Sequence, residues 1–432
     1  MSQVDAVPLP AEPRRTSHLS GGVRLVIADL HNHSLHSDGL GDPDRAFTLM
    51  REAGLDVAAL TDHASIPLKD VGRLSLAHYP DDAALATGRL APRSLDEAAW
   101  KRTAELAVAH DVPGQFTALR GFEWTEPWLG HVNVWFSSTW TPVGTPGTLA
   151  GLFDFLGSAE PDALFGYNHP GREPGALHGY AMPGPQIPGL TYSPTDLPRR
   201  MVGLEIFNRT DDFLFGPAKA GYASPIAACL DSGWRPALIG SSDEHGRSYG
   251  LAGKGRTGLW VTEHSRAGVR EALLARRAFA TREVGLLLDA TLDGQPLGGS
   301  LRPAVDVHPA LDTVPADGAP TVDAELAVDL ELTAPGSRYA GAEVELQLLC
   351  STAALPPDAH TEPLDASGVV VLQRERAVVG APFRCRVSIP TGARWALLRV
   401  ADPGRPVPGA APKGHPGAGW SLAYGSPWYR QV

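Results

Sequence analysis

The stretch VRLVIADLHNHSLHSDG (residues 23–39) joins an apolar run to a polar segment that is rich in histidine. The apolar run is typical of a buried strand. His31 and His33 follow it at a spacing of two, so both imidazoles leave the strand end on one face. Asp38 lies in the next loop, where its carboxylate can return over the strand end. Two neutral imidazoles directed at one point suit a divalent metal ion.

Polar clusters of the same kind recur along the chain, most of them at the carboxyl end of an apolar run. They are Thr61-Asp62-His63, Gly121-Phe122-Glu123-Trp124-Thr125, Gly130-His131-Val132-Asn133, Asn168-His169-Pro170 and Ser241-Ser242-Asp243-Glu244-His245-Gly246. In parallel α/β barrels the carboxyl ends of the strands form the face where active sites are built. A lone His-x-His pair would more often be two surface histidines. Six such polar clusters along one chain, counting the one that contains His31 and His33, rarely arise by chance. Histidine, aspartate and glutamate without cysteine favour zinc, manganese or iron at an open catalytic site.

The order of predicted elements divides the chain into three parts. Apolar runs alternate with helical segments such as SLDEAAWKRTAELAVAHD, where Ser94 and Glu97 form a capping box, and this alternation predicts a mostly parallel sheet or barrel. After Gly285 the pattern changes to short alternating strands between turn residues, which is typical of a β-sandwich. The predicted parts are a leader (1–22), an α/β barrel (23–285) and a β-sandwich domain (286–432).

One long segment inside the barrel is predicted to lack regular structure. Residues 172–201 contain six prolines and four glycines. Loops of this length are uncommon in compact domains, and they often act as lids or binding loops. We therefore expect this segment to cover the site, the alternative being a surface insertion without a role.

Composition limits the classes of partner. The 432 residues include 37 Lys and Arg against 48 Asp and Glu, a net charge of −11 that disfavours nucleic acid and anionic membranes. Three cysteines without a short spacing indicate a reducing compartment. The first 22 residues lack the apolar core of a secretory signal, and no long apolar run occurs, so we expect a cytoplasmic protein. Nothing in the sequence indicates the oligomeric state.

In six motifs the chain resembles the PHP (polymerase and histidinol phosphatase) superfamily of metal-dependent phosphoesterases. The motifs are DLHNHSLHSDG, LTDHA, GFEW, GHVN, NHPG and SSDEHG, in that order over residues 29–246. The resemblance implies a distorted (β/α)7 barrel, related to the TIM barrel, with two or three metal ions at its mouth. It also implies hydrolysis of a small phosphoester by a metal-bridging hydroxide, since bound metal lowers the pKa of water to ~7.

The resemblance further assigns nine metal ligands in three sets. The sets are His31, His33, Glu123 and Asp243 for the first ion; Glu123, His131 and His169 for the second; and Asp38, His63 and His245 for the third. Glu123 would therefore bridge two ions. Asp38 differs from the histidine that some members carry in this loop, so the resemblance does not assign the metal of the third site.

Three arginines next to these motifs are candidates for binding a substrate anion. Arg172 follows NHPG, Arg209 follows LEIFN and Arg247 follows SSDEHG. A guanidinium can hold a phosphate by two parallel hydrogen bonds, although each of these arginines has a structural or solvated role as its alternative. Glu205 is expected to be a hydrogen-bonding partner inside the barrel rather than a metal ligand.

The carboxyl-terminal part carries a second resemblance. FATREVGLLLDATLDGQPLG (279–298) and SLAYGSPWYRQV (421–432) are similar to the tail of carbaryl-hydrolase-like metallohydrolases, which also cleave carbamates and carboxylic esters. A carboxylester or carbamate hydrolase with the same metals is therefore one alternative. A non-catalytic metal-binding scaffold is another alternative. The presence of a ligand-type residue at all nine positions argues against it. The expected partner is a small phosphoester or ester substrate.

Overall fold

The protein has a mixed α/β fold with a large central sheet, seen in a computed structural model. The structure describes residues 21–65, 94–126, 130–143, 149–172, 196–215, 224–301, 321–332, 339–354, 362–363, 368–390, 392–405 and 419–430. Residues 1–20 of the predicted leader and residues 173–195 of the predicted lid lie outside these ranges, and at the end of the predicted lid Leu197–Arg200 is helical and Met201 begins a strand.

The part of the chain before residue 282 contains strands interspersed with helices. Its strands are β1 (Arg24–Asp29), β2 (Val57–Leu60), β3 (Thr117–Glu126), β4 (Gly130–Trp135), β5 (Leu164–Tyr167), β6 (Met201–Asn208), β7 (Asp211–Asp212), β8 (Ala237–Ser241), β9 (Arg256–Val261) and β10 (Ala278–Thr281). Its helices are α1 (Pro43–Glu52), α2 (Glu97–His110), α3 (Ala150–Asp154, continued by a π-helical turn at Phe155–Ala159), α4 (Leu197–Arg200), α5 (Pro225–Asp231) and α6 (Arg266–Leu274). None of the helices in the described ranges has the length and apolar character needed to cross a membrane.

Strand direction is mixed around this part of the sheet. β1, β2 and β3 are parallel, as are β5, β6 and β8, whereas β4 is antiparallel to both β3 and β5. Only residues 127–129 separate β3 from β4, too few for the crossover that parallel neighbours need. β9 returns antiparallel to β1, and the Thr257 hydroxyl on β9 bonds both the amide and the carbonyl of Gly240 on β8. These strands form part of one large closed sheet, which also includes strands that follow β10 in the chain.

Helix starts follow the local sequence with one difference. α1 begins at a common type of cap: the Asp42 side chain accepts from the amide of Asp44 at 3.0 Å, and Pro43 occupies the first helical position. α2 was predicted to be capped by Ser94, but its N-cap is Asp96, whose carboxylate accepts from the amide of Ala99 at 2.8 Å. Aspartate caps at least as well as serine, so the helix begins two residues later.

After β10, the described residues contain strands and one short 3-10 helix (Thr352–Ala354). The strands are β11 (Leu286–Leu292), β12 (Gln295–Pro296), β13 (Ser300–Leu301), β14 (Thr321–Leu332), β15 (Glu343–Ser351), β16 (Glu362–Pro363), β17 (Val369–Val378), β18 (Pro382–Pro390), β19 (Trp395–Asp402), β20 (Trp420–Gly425) and β21 (Trp428–Arg430). β12, β11, β14 and β18 form a separate four-stranded sheet. β15, β17, β19 and β20 extend the central sheet, because β20 pairs with β10 through Ala280 and Tyr424.

Apolar side chains join these two sheets. Leu288 on β11 shares a buried cluster with Leu346 on β15 and Leu398 on β19. Burying a leucine stabilises a fold by about 1.5–3 kcal/mol, so this cluster holds the four-stranded sheet against the extended one. The predicted domain boundary near residue 285 falls between β10 and β11, and it stays a prediction.

Candidate metal centre

All nine predicted ligands lie at one end of the barrel strands, and every one is buried. They follow β1 (His31, His33 and Asp38), β2 (His63), β5 (His169) and β8 (Asp243 and His245), lie within β3 (Glu123), or lie at the start of β4 (His131). His131 reaches the same edge from the amino end of its strand because β4 is antiparallel to β3, with His131 opposite Thr125. The structure therefore brings together side chains that the sequence separates by more than 200 residues.

The loops after β1 and β8 are joined by backbone hydrogen bonds. The amide of Asp243 donates to the carbonyl of His31 at 3.0 Å, and the amide of His33 donates to the carbonyl of Glu244 at 2.9 Å. Asp243 and His169 have φ values of 48° and 26°, in the left-handed region that favours glycine. Such strain persists only where the surroundings impose it, and it concentrates at functional sites.

The first group of ligand atoms contains His31, His33 and Asp243. The Nε2 atoms of His31 and His33 are 3.0 Å apart. Oδ1 of Asp243 lies 3.5 Å from Nε2 of His31 and 3.4 Å from Nε2 of His33. Glu123 adds Oε1 at 3.2 Å from Nε2 of His31. Ligands of a tetrahedral ion with bonds of ~2.0–2.1 Å are about 3.3 Å apart. The spacing of the predicted first set therefore fits one small divalent cation.

The second group surrounds Oδ1 of Asp38. Nε2 of His245 lies 3.3 Å from this oxygen, Nε2 of His63 lies 3.5 Å away and Nδ1 of His33 lies 4.0 Å away. Among the described residues, none forms a hydrogen bond to this buried oxygen. A buried carboxylate oxygen that faces several imidazole nitrogens but forms no hydrogen bond indicates a place for a cation. The predicted third set is thus brought together, with His33 beside it.

The third group centres on Glu123. Oε1 lies 3.2 Å from Nδ1 of His131 and 3.5 Å from Nε2 of His169, and Oε2 lies 2.7 Å from Nδ1 of His63. The predicted second set contained His131 and His169 but not His63. In the structure His63 faces Glu123 with one ring nitrogen and Asp38 with the other. Glu123 has histidines on both carboxylate oxygens, as a residue that bridges two ions requires.

Both carboxylates at the centre are ionised. Burial would raise the pKa of Glu123, but His63 and His31 hold it well below its usual value. Burial likewise acts against ionisation of Asp243, but Arg209 and then His31 keep the pKa of this carboxyl well below its usual range. Each carboxylate is therefore available as a ligand at neutral pH.

The imidazoles divide into two kinds. Burial, and then the neighbouring His245 and His63, lower the pKa of His33 to about 3, so this ring is neutral. Burial also opposes protonation of His63, but Asp38 and Glu123 raise its pKa to about 9. Asp38 and Glu123 thus favour the protonated form of the His63 ring when no other cation balances their charge. A divalent ion supplies the same positive charge without those protons.

Glu205 orients the predicted ligand His31 by contacting Nδ1, the ring nitrogen that does not face the first group. Its Oε1 lies 2.9 Å from Nδ1 of His31, and its Oε2 accepts from the amide of His169 at 2.8 Å and from Asn208 at 2.7 Å. A hydrogen bond at Nδ1 leaves Nε2 of His31 free to face the first group. The expectation of a hydrogen-bonding partner on β6 rather than a ligand agrees with these contacts.

Asp62 holds the loop that carries Asp38, and sequence reasoning missed this role. Its carboxylate accepts from the Ser34 amide at 2.7 Å, from the Ser34 hydroxyl at 2.8 Å and from the Ser37 hydroxyl at 2.6 Å. The available signal was an aspartate next to His63 together with two serines in the loop after β1. That signal does not say which side chain faces which loop.

The three candidate arginines occupy different environments. Arg172 donates from Nη1 to Oδ2 of Asp243 at 2.9 Å, and Nη2 of Arg209 lies 3.3 Å from the same oxygen. Arg247 is exposed, and its Nε donates to the carbonyl of Leu40 at 3.2 Å. Arg172 and Arg209 therefore border the predicted ligand Asp243, whereas Arg247 is bound to the loop that follows β1.

Comparisons with known proteins give the following matches. A family described as a protein of unknown function (DUF3604) matches residues 75–142, and no curated protein matches the chain. One similar solved structure is a two-domain protein from Bacteroides vulgatus that contains a predicted PHP-like metal-dependent phosphoesterase. It is 18% identical to this chain with a TM-score of 0.42, and the match covers 96% of this chain and 100% of the other chain. PsfC from Pseudomonas syringae is 15% identical with a TM-score of 0.31 and covers 60% of this chain and 92% of its own.

Proposed function

We propose that the chain is a PHP-type metal-dependent hydrolase that cleaves a small phosphoester, using two to three divalent ions of zinc, manganese or iron. The observation that carries the proposal is the overlap of three buried groups of ligand atoms. The first and second groups share His33, and the second and third groups share His63. A structural zinc site needs only one closed set of four ligands. Adjoining sets in one cavity are the arrangement that clamps the oxygens of a displacement reaction.

The side chains fit divalent ions on three independent grounds. The atoms of the first group are spaced as the corners of a tetrahedron around one ion. Oδ1 of Asp38 is buried without a hydrogen bond from the described residues. The donor atoms are imidazole nitrogens and carboxylate oxygens, which zinc, manganese and iron accept.

Each residue would contribute a distinct function to hydrolysis. Bound divalent ions supply Lewis-acid activation of the phosphoryl group and lower the pKa of water. Glu123 would span two ions and reduce their mutual repulsion, because its two oxygens face different histidines. Glu205 keeps Nε2 of His31 directed at the first group. Arg172 and Arg209 would hold the oxygens of the substrate that the ions leave unsatisfied.

The proposed architecture is a distorted (β/α)7 barrel that carries this centre, followed by a β-sandwich. Supporting it are the ring of strands from β1 to β9 and the clustering of the ligands at one end of that ring. The four-stranded sheet packed against β15 and β19 supports the second domain.

A substrate screen tests the reaction class. Protein reconstituted with zinc, manganese or iron is assayed against phosphomonoesters, phosphodiesters, aryl esters and carbamates. We expect hydrolysis of a phosphoester that is lost with a chelator and restored by metal. Glu123→Gln should abolish it, while Asp162→Asn, at a carboxylate whose side chain is 93% exposed, should not. Hydrolysis of aryl esters with no phosphatase activity would overturn the proposal.

A carboxylester or carbamate hydrolase is the second candidate, and one observation favours it. Arg172 and Arg209 both contact Oδ2 of Asp243, so a carboxylate already offsets part of their positive charge. A neutral ester does not need an unpaired cation at the site. The screen separates the two candidates, because a carboxylester or carbamate hydrolase should cleave aryl esters or carbamates and no phosphoester.

A further inference from the structure

A short hairpin lies between the candidate metal centre and the carboxyl-terminal strands. β6 and β7 pair antiparallel, with Phe207 opposite Asp212 and Asn208 opposite Asp211, so Arg209 and Thr210 form the turn. Arg209 has a φ of 54°, in the left-handed region. Its amide donates to the carbonyl of Ser241 at 3.0 Å, which ties the turn to the end of β8. We call residues 207–212 the arginine hairpin.

One side of the arginine hairpin holds both guanidinium groups that border the metal ligands. Arg209 belongs to the turn itself. Arg172 comes from another loop, and its Nη2 donates to Oδ1 of Asn208 at 2.5 Å and to Oδ2 of Asp211 at 3.3 Å. The position of the hairpin therefore decides where both arginines lie relative to Asp243.

The other side of the hairpin is bound by β20. Tyr424 is fully buried, and its hydroxyl donates to the carboxylate of Asp212, with oxygen distances of 3.1 and 3.0 Å. The Tyr424 ring also packs on Phe207 at 5.1 Å between centroids. The hydroxyl is held in place by Arg399, whose Nε lies 3.2 Å away.

Arg282, just after β10, binds the same hairpin at its turn. Its Nη1 donates to the carbonyl of Thr210 at 2.6 Å, and its Nε donates to the carbonyl of Ser421 at 2.9 Å. The guanidinium lies 3.6 Å from the ring centroid of Trp420. These contacts fix a planar group between the hairpin and β20, so the turn cannot shift without breaking a partly buried charge-assisted hydrogen bond.

We infer that Tyr424 and Arg282 are positioning residues for binding of the substrate anion. Through these two residues, the carboxyl-terminal part of the chain orients the guanidinium groups of Arg172 and Arg209. Neither residue touches the candidate ligand groups. Both act through the arginine hairpin, whose two sides carry the contacts just described. The inference rests on the proposed function, because it assumes that the two arginines receive a phosphoryl group.

The test measures binding of inorganic phosphate to the metal-loaded full chain by titration calorimetry, together with KM and kcat for the best phosphoester. Tyr424→Phe removes one hydroxyl and keeps the ring. We expect phosphate to bind about three- to tenfold more weakly and KM to rise by a similar factor, as for the loss of one buried hydrogen bond. Metal content and kcat should change little. Arg282→Lys, which keeps the charge but loses the planar fork, should act in the same direction.

Tyr429→Phe is the matched control. Tyr429 is also buried in the carboxyl-terminal strands, but its hydroxyl donates to the carbonyl of Pro236, away from the hairpin. It should leave phosphate binding unchanged even if it lowers Tm as much as Tyr424→Phe does. In a background of Arg172→Ala with Arg209→Ala, Tyr424→Phe should have no further effect on phosphate binding.

The outcomes are distinguishable from those of the proposed function. Equal phosphate affinity in Tyr424→Phe, Tyr429→Phe and the unaltered protein would overturn the inference, as would an equal loss when both arginines are absent. Failure of the unaltered protein to bind phosphate would also overturn it. A protein that binds phosphate with the expected order of affinities, but hydrolyses no phosphoester, would support the positioning role and contradict the proposed reaction.

Discussion

Glu123 is the residue on which the candidate centre depends most. Its two oxygens face His131 and His63, and Oε1 also lies 3.2 Å from Nε2 of His31. His245, in contrast, belongs to the group around Asp38. A side chain that serves two groups should cost more when lost than one that serves a single group.

We therefore predict that Glu123→Gln removes more metal than His245→Gln. Glutamine keeps the shape of the side chain and loses the charge that offsets repulsion between neighbouring ions. Each of the two ions should bind at least ~10-fold more weakly, since even partners outside the ligand set cost that much when lost. Elemental analysis after dialysis measures the ions that remain, and equal retention in the two variants would show that Glu123 does not bridge.

Arg172 can be separated from the ligands by kinetics. Arg172→Ala, assayed with metal in excess, should lower kcat/KM for the best phosphoester about tenfold, as expected for the loss of one charge-assisted hydrogen bond. Arg247→Ala is the matched control, because Arg247 is exposed and donates to the carbonyl of Leu40. If Arg172→Ala and Arg247→Ala have the same kinetics, then Arg172 does not bind the substrate.

At the scale of elements, the loop between β1 and α1 is held by β2. Asp62 accepts three hydrogen bonds from Ser34 and Ser37, and these precede Asp38 by only a few residues. The loop has no helix or strand of its own around Asp38, so these side-chain contacts fix its position together with the backbone hydrogen bonds to the loop after β8.

Asp62→Asn should therefore weaken one ion selectively. An amide accepts fewer of the three hydrogen bonds than a carboxylate does, and Asp38 loses its fixed position. We expect the ion at the Asp38 group to bind about 10–100-fold more weakly, by analogy with other residues that support ligands. The ions near Glu123 and Asp243 should stay. Stepwise metal titration resolves this, and loss of all ions together would indicate general unfolding instead.

At the scale of the whole molecule, protons compete with metal ions for the centre. The carboxylates outweigh the effect of burial, raise the pKa of His63 to about 9 and raise the pKa of His31 well above its usual value. Both rings must lose their protons before they bind metal. Binding should release protons at pH 7, and the apparent affinity for metal should rise with pH until about pH 9.

Calorimetry in buffers of different ionisation enthalpy measures that proton release. The controls are repeats with His110→Gln, at a half-buried histidine at the end of α2 that is outside the three ligand groups. This variant should release as many protons as the unaltered protein. Metal affinity that does not change between pH 6 and pH 9 would contradict the assignment of His31 and His63 as ligands.

The sequence by itself determined which residue types would gather and at which ends of the strands. His31 and His33 alternate along an extended chain, and that periodicity is local, so it needs no knowledge of distant contacts. The polar motifs after β2, β5 and β8 are also readable, because a strand ends where its apolar run ends. The resemblance then identified all nine buried side chains, although their roles as ligands stay a prediction.

Only the tertiary structure decided how those side chains are grouped. His63 faces both Glu123 and Asp38, and His131 arrives from the amino end of an antiparallel strand. Arg209 reaches Asp243 from a hairpin that Tyr424 contacts, and Arg172 reaches it from another loop that is hydrogen-bonded to the same hairpin. The physical reason is that strand order and direction arise from pairing between distant segments. Periodicity reports which face a residue occupies, but not which other face it meets.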